Sequence, residues 1–268
     1  MDDFHDIPCA LTIAGADCGG GAGIQADMLA FAANGVFATT VLAAATAQNP
    51  DGVSAVDALS DEFFAAQLEA VNSYFKPRAA KTGMLFDVRR VEAAAEFARK
   101  NRQIALVVDP VMISTSGVKL LKTDAVAALE TKLIPLATLA TPNIDEAEVL
   151  LGEKITSPED AAEKLSRKFS VAFLVKGGHL RSDEITDALC TPDGEICTMS
   201  SRRILGVDTH GSGCTLSAAI TANLAKGLAL ETACLKAREY LVAGMENPVR
   251  VAGRKFINHF PKRNATRR

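Results

Sequence analysis

A chain of 268 residues, 48% hydrophobic, can build one large core or two small ones. Its net charge of −3, aromatic share of 5% and lack of Trp disfavour nucleic-acid binding, and no polybasic patch marks a membrane surface. No apolar run reaches the roughly 18 residues of a membrane span, the acidic start Met1–Asp6 lacks signal-peptide character, and scattered cysteines without a Cys-x-x-Cys pair point to reduced thiols in a cytoplasmic protein.

The run Ala10–Ala14 reads as a buried strand and stops at the glycine-rich loop Gly15–Gly23. Ile24–Asn34 has helical spacing. This strand, loop and helix could hold a phosphate, but the loop matches neither a Walker A pattern nor Gly-x-Gly-x-x-Gly. Thr40–Ala47 is a second strand ending at Gln48-Asn49. Asp61–Phe75 is a helix with Ser60 as N-cap. Ala79–Met84 is a short strand, Val88–Lys100 a helix, and Ile104–Asp109 a parallel-type strand with an acid at its carboxyl end. After the loop Pro110–Gly117 come a helix over Thr123–Leu133, a strand over Ala137–Thr141 and the pair Pro142-Asn143. Helices follow over Asp145–Leu151 and Ser157–Phe169, then a strand running from Val171 to Lys176. Thr186–Cys190 and Glu195–Ser201 flank Pro192-Asp-Gly194 as a hairpin. The stretch Val207–Ile220 is a tight glycine turn feeding an apolar helix, and Ala229–Glu246 is the last long helix. The basic tail 262–268 reads as a frayed terminus. Strands alternating with helices predict an α/β fold, three layers around a mainly parallel sheet, in a single domain spanning 1–268.

In such sheets ligands bind outside the strand carboxyl ends. The residues expected there are Asp17 with its glycine loop, Gln48-Asn49, Lys81-Thr82, Asp109, Asn143 with Glu146, Lys176 and Asp208. Asp109 and Glu146, on separate strand ends, are candidate Mg²⁺ ligands, and Lys176 before a double glycine is a candidate phosphate contact. Gly211 and Gly213 at a helix start form a candidate anion hole. Cys214 follows them, where a helix N-terminus would lower a thiol pKa. Together these are the parts of phosphoryl transfer. Each also has a plainer reading: strand-end acids as helix caps, Lys176 in a surface salt bridge, and the glycine turn as a connector beside a small buried Cys.

Several segments then carry a resemblance over nearly the whole chain. They are Ala10–Gly15, Gly20–Asp27, Thr46–Asn49, Lys81–Met84, Asp109–Met112, Thr141–Glu148, Leu174–Leu180 and Thr209–Ser217. In this order they resemble the hydroxymethylpyrimidine/phosphomethylpyrimidine kinases of thiamine biosynthesis, in the ribokinase-like superfamily. The resemblance implies a three-layer α/β/α ribokinase-like fold. It implies transfer of the γ-phosphoryl of ATP to the pyrimidine hydroxymethyl group and then to the monophosphate. By position, Gln48 would read the aminopyrimidine edge, with Asp27, Gly15 and Met84 lining that pocket. Asn143-x-x-Glu146 matches a motif that organises Mg²⁺ with Asp109. Lys176, Asn143, Thr209 and Gly213 would serve the nucleotide. Gly211-Ser212-Gly213 with Cys214 matches the catalytic anion hole, Cys214 standing where most relatives of the superfamily carry an Asp base. The family also implies a homodimer.

The chain departs from the family at Cys18, where a Pro is usual and whose loss would loosen the first loop. Thr115 stands where the lid often carries Lys, and Ser212 replaces the commoner Thr. A pyridoxal or pyridoxine kinase is the nearest rival. Relatives specialised for pyridoxal carry a second Cys in the lid, where this chain has Ser114. A non-catalytic nucleotide-binding protein would be expected to lose Asp109, Glu146, Lys176 or Cys214, and all are present.

Overall fold

The protein is described here from a computed structural model covering residues 6–113, 120–179 and 183–261. The lid positions Ser114 and Thr115 and the basic tail 262–268 lie outside the described residues.

One nine-stranded sheet organises the chain. Its strands are β1 (Cys9–Asp17), β2 (Phe37–Asn49), β3 (Gly52–Ala58), β4 (Ala79–Thr82), β5 (Ala105–Val108), β6 (Leu139–Ala140), β7 (Ala172–Val175), β8 (Glu184–Cys190) and β9 (Ile196–Arg202). In space the order is β3-β2-β1-β4-β5-β6-β7-β8-β9. The strands from β2 to β7 are parallel to one another; β3 at one edge and β8 near the other run antiparallel to them, and β9, antiparallel to β8, returns to the common direction. The parallel strands carry near-continuous apolar runs such as Ala105–Val108, as expected of strands covered on both faces.

On one face lie α2 (Asp61–Phe75), α3 (Val88–Lys100), α4 (Thr123–Ala128), α5 (Ile144–Leu151) and α6 (Pro158–Phe169). Their apolar stripes meet Leu11, Val41, Leu106 and Phe173 of the sheet in the larger core cluster. The other face is covered by α1 (Gly23–Ala33), α7 (Ser212–Ala225) and α8 (Leu230–Glu246). This is the three-layer α/β/α, ribokinase-like arrangement. The predicted N-cap of α2 is present: the Ser60 hydroxyl accepts from the Phe63 N–H at 3.2 Å.

The structure differs from the sequence reading in two places. The edge strand β3 and a small hairpin of β10 (Val249–Val251) and β11 (Arg254–Phe256) were not predicted. Both are largely exposed and carry glycine or charged residues, so neither shows the alternation of a half-buried strand. The helix predicted over 123–133 is α-helical only to Ala128 and finishes in a wide π turn, Leu129–Leu133. Helix α7 begins at Ser212, directly on the glycine turn, where the sequence reading put a helix start.

Candidate active site

The site lies at the carboxyl ends of the parallel strands, in a cavity of about 290 Å³. Strands β1 and β2 reach it through irregular backbone. The β1–β2 register shifts between Ala14 and Ala16, around Gly15, and the β2–β3 register shifts between Ala47 and Gln48. Such bulges re-aim residues next to functional sites. Gly15 and Gln48 both line the cavity, with Met84 after β4 beside them. A side chain at Gly15 would overlap the Met84 methyl group, so it would require Met84 to move aside.

The first glycine loop is closed by its own acid. Asp17 is 1% exposed. Its carboxylate accepts from the N–H groups of Gly19 (2.7 Å), Gly21 (3.0 Å) and Ala22 (2.8 Å) and from His210 Nε2 (2.9 Å). Burial alone would raise this carboxyl, but the bond from His210 and the backbone donors hold it below the ordinary carboxylate value. Cys18 does not leave the loop slack. Its thiol donates to the Gln48 carbonyl at 3.2 Å and accepts from the Gln48 N–H at 3.3 Å, tying the loop to β2.

A charged cluster occupies the middle of the strand edge. Asp109, just after β5, is 2% exposed and pairs with Lys176 Nζ at 3.0 Å. Its oxygens also accept from the hydroxyls of Ser217 (3.1 Å) and Thr141 (3.3 Å). Burial opposes its ionisation, yet Lys176 and Lys81 hold its carboxyl below the usual range. Asn143 and Glu146 form a capping box on α5: Glu146 N–H donates to Asn143 Oδ1, and Asn143 N–H to Glu146 Oε2, each at 2.9 Å. Burial, reinforced by the charge of Asp109, pushes Glu146 up to about 7 against the pull of Lys176. The capping role expected of a strand-end acid is therefore real for Glu146, and the same side chain also faces the cavity.

The glycine turn lines the cavity beside the first loop and the charged cluster. Gly211 has φ +77°, and a side chain on it would overlap the Gly21 carbonyl of the first loop. Beyond it the first turn of α7 offers N–H groups with no intrahelical acceptor and the positive end of the helix dipole. Lys176 Nζ lies 3.2 Å from where a Gly213 Cβ would stand, so lysine and turn address the same volume. Thr209, Ser212, Gly213 and Cys214 all line the cavity. The thiol does not behave as its helix position suggests. Removal from water pushes Cys214 up to about 11, with Asp27 and Asp109 adding to the rise, against the lowering by Lys81 and the Gly23 N–H. Its surroundings therefore favour the thiol over the thiolate.

Most of the predicted residues meet at this cavity: Gly15, Gln48, Met84, Asp109, Asn143, Glu146, Lys176, Thr209 and the turn Gly211–Cys214. Asp27 does not. It is completely buried outside the cavity lining, accepting from the Thr12 hydroxyl at 2.6 Å and pairing with Lys81 at 2.7 Å. Lying on α1 against β1 and β4, it holds an internal cation rather than a ligand. The carboxylate raises the pKa of the Lys81 ammonium despite complete burial. Roles for Ser217 and His210 were not foreseen. Ser217 follows Cys214 by three residues, one helical turn, and that spacing was the available signal. For His210, nothing local pointed to Asp17.

Comparison with known proteins shows the family. The profile of the phosphomethylpyrimidine kinase family matches residues 17–258. The hydroxymethylpyrimidine/phosphomethylpyrimidine kinase of Rhizobium meliloti (strain 1021) is 45% identical, over 94% of this chain and 96% of that protein. Its namesake in Haemophilus influenzae is 42% identical, over 96% and 98%. Among solved structures, an ADP complex of Bacillus subtilis pyridoxal kinase superimposes with TM-score 0.87 at 32% identity, over 96% of this chain and 98% of that one. The phosphomethylpyrimidine kinase of Clostridium difficile 630 gives TM-score 0.77 at 40% identity, over 88% and 98%. The chain belongs to the phosphomethylpyrimidine kinase family and is a kinase.

Proposed function

We propose that the chain transfers the γ-phosphoryl group of ATP to the hydroxymethyl group of 4-amino-5-hydroxymethyl-2-methylpyrimidine, and then phosphorylates the monophosphate to the diphosphate, in thiamine diphosphate biosynthesis. The observation that carries this reading is the presence, in one cavity, of an acceptor group (Gly15, Gln48, Met84) and an anion group (Lys176, Gly211–Gly213), with Cys214 lining the same cavity. The Gln48 amide can donate to and accept from an aminopyrimidine edge. Cys214 would take the hydroxymethyl oxygen against its sulfur and orient it for in-line attack. The α7 N–H groups and Lys176 would meet the charge that grows on the transferred group.

The donor set suits Mg²⁺. Among the described residues no group of three or more His, Cys, Asp or Glu could hold a metal ion by itself. Two carboxylates, Asp109 and Glu146, remain, and Mg²⁺ commonly binds through one or two carboxylates with water and substrate phosphates. A buried acid raised to about 7 beside a second acid is one that a cation would stabilise. Bound there, Mg²⁺ would neutralise phosphate charge, while Lys176 keeps Asp109 ionised and Asn143 holds Glu146 in place.

The pyridoxal kinase superposition, at TM-score 0.87, favours a second acceptor. A side-by-side assay with Mg-ATP is expected to show the hydroxymethylpyrimidine as the better substrate and pyridoxal as the poorer one. A strong preference for pyridoxal would reverse the assignment. No helix among the described residues is long and apolar enough to cross a membrane. We read the chain as a cytoplasmic homodimer, and light scattering is expected to return about twice the 28.2 kDa chain mass. A single-chain mass would refute the dimer.

A further inference from the structure

The two glycine segments of the cavity are 193 residues apart in sequence and are joined by one side-chain pair, His210 Nε2 with Asp17 Oδ2 at 2.9 Å. The acceptor oxygen on Asp17 is the one that also takes the N–H groups of Gly21 and Ala22, so it sits at the centre of the first loop. The His210 side chain lies on Gly21, where an added Cβ would come within 2.9 Å of Cδ2. His210 is itself fixed, its N–H donating to Asp208 Oδ1 at 2.9 Å. The next residue, Gly211, packs on the Gly21 carbonyl too closely for any side chain. The first loop in turn holds the backbone of Gln48 through Cys18. A continuous path of contacts therefore runs from the anion turn through His210, Asp17 and Cys18 to the acceptor-reading strand end.

We propose that His210 is a positioning residue that couples the two halves of the site: filling the anion turn with a nucleotide phosphate orders the first glycine loop, and with it the acceptor group, through Asp17. His210 needs no contact with either substrate for this. Its imidazole N–H holds Asp17, Asp17 holds the loop, and a phosphate drawing on the turn at Gly211–Gly213 acts on both. Coupling of this kind is reciprocal, so the acceptor tightens the nucleotide by the factor by which the nucleotide tightens the acceptor. The proposal rests on the anion-hole reading of the turn, and ADP binding by the unaltered protein tests that reading separately.

The exposed thiol of Cys18 reports on the first loop. Its alkylation by iodoacetamide, followed by peptide mass spectrometry, is measured with and without ADP in the unaltered protein, in His210→Ala and in His210→Gln, alongside ADP affinity. ADP is expected to slow alkylation about fivefold or more in the unaltered protein, within the usual range of site-to-site coupling. In His210→Ala the slowing disappears while ADP still binds, and His210→Gln, which keeps an N–H donor, regains part of it. Equal slowing with and without His210 overturns the proposal, because ADP then shields the loop directly. Absence of slowing in the unaltered protein overturns it as well. So does loss of ADP binding in His210→Ala together with the slowing, which is a defect of the turn and not of coupling.

Discussion

Cys214→Ala is expected to lower turnover by about 10²–10⁴-fold while ATP binding persists, the range for losing a positioned acid–base group. ATP would rest on Lys176, Asn143 and the α7 N–H groups, which alanine leaves in place. The acceptor oxygen, in contrast, loses the thiol that would orient it. The sign of the pH dependence follows from the thiol. Its pKa is raised to about 11, so the thiolate share is small at neutral pH and grows about tenfold per pH unit below that value. Turnover is expected to rise from pH 7 to 9, and alanine to flatten the rise. Alkylation of Cys214 in the resting protein, read from its peptide, should climb along the same limb. A flat pH profile in the unaltered enzyme would exclude the thiolate as base and leave Cys214 as a positioning group alone. A loss of turnover below about tenfold in the alanine variant would exclude both roles.

Lys81→Met is expected to lower stability by about 3–5 kcal/mol, the cost of leaving one member of a buried pair without its partner. Lys81 and Asp27 are each 0% exposed and 2.7 Å apart, so no water can take the place of the missing charge. At about 2–4 °C per kcal/mol for chains somewhat shorter than this one, the melting temperature should fall by roughly 6–20 °C. The double variant Asp27→Asn with Lys81→Met removes both charges and keeps an oxygen for the Thr12 hydroxyl, which now donates to Asp27 at 2.6 Å. It is expected to recover much of the stability, since a whole buried pair is often dispensable. Activity should not recover with it. The Lys81 ammonium also lowers Cys214 and helps to hold Asp109 ionised, and no other change replaces that charge. A double variant as unstable as the single one would show that the pair is not the origin of the loss.

How much of this was legible in advance depended on range. The caps of α2 and α5, the strand ends at Asp109 and Lys176, and the helix-opening glycine turn all follow from residues within a few positions of one another. The motif order added what spacing could not, a substrate class. It misled at Asp27, because a resemblance carries a residue's presence in a segment but not the direction of its side chain. Cys18 is the reverse case. Read as the loss of a stiffening proline, it turns out to be a tie between the loop and Gln48.

The sequence by itself determined the α/β alternation, the edge of the sheet where a ligand would sit and the charged residues and glycine turn at its centre. Those are consequences of hydrophobic period, turn chemistry and helix capping, which act within a turn or two of the chain. Only the tertiary structure decided that Asp27 serves Lys81, that burial raises the Cys214 pKa against the pull of its helix position, and that His210 reaches Asp17 across 193 residues. Those outcomes depend on dehydration and on charges brought close by folding, and both are set by neighbours that lie far away in the sequence.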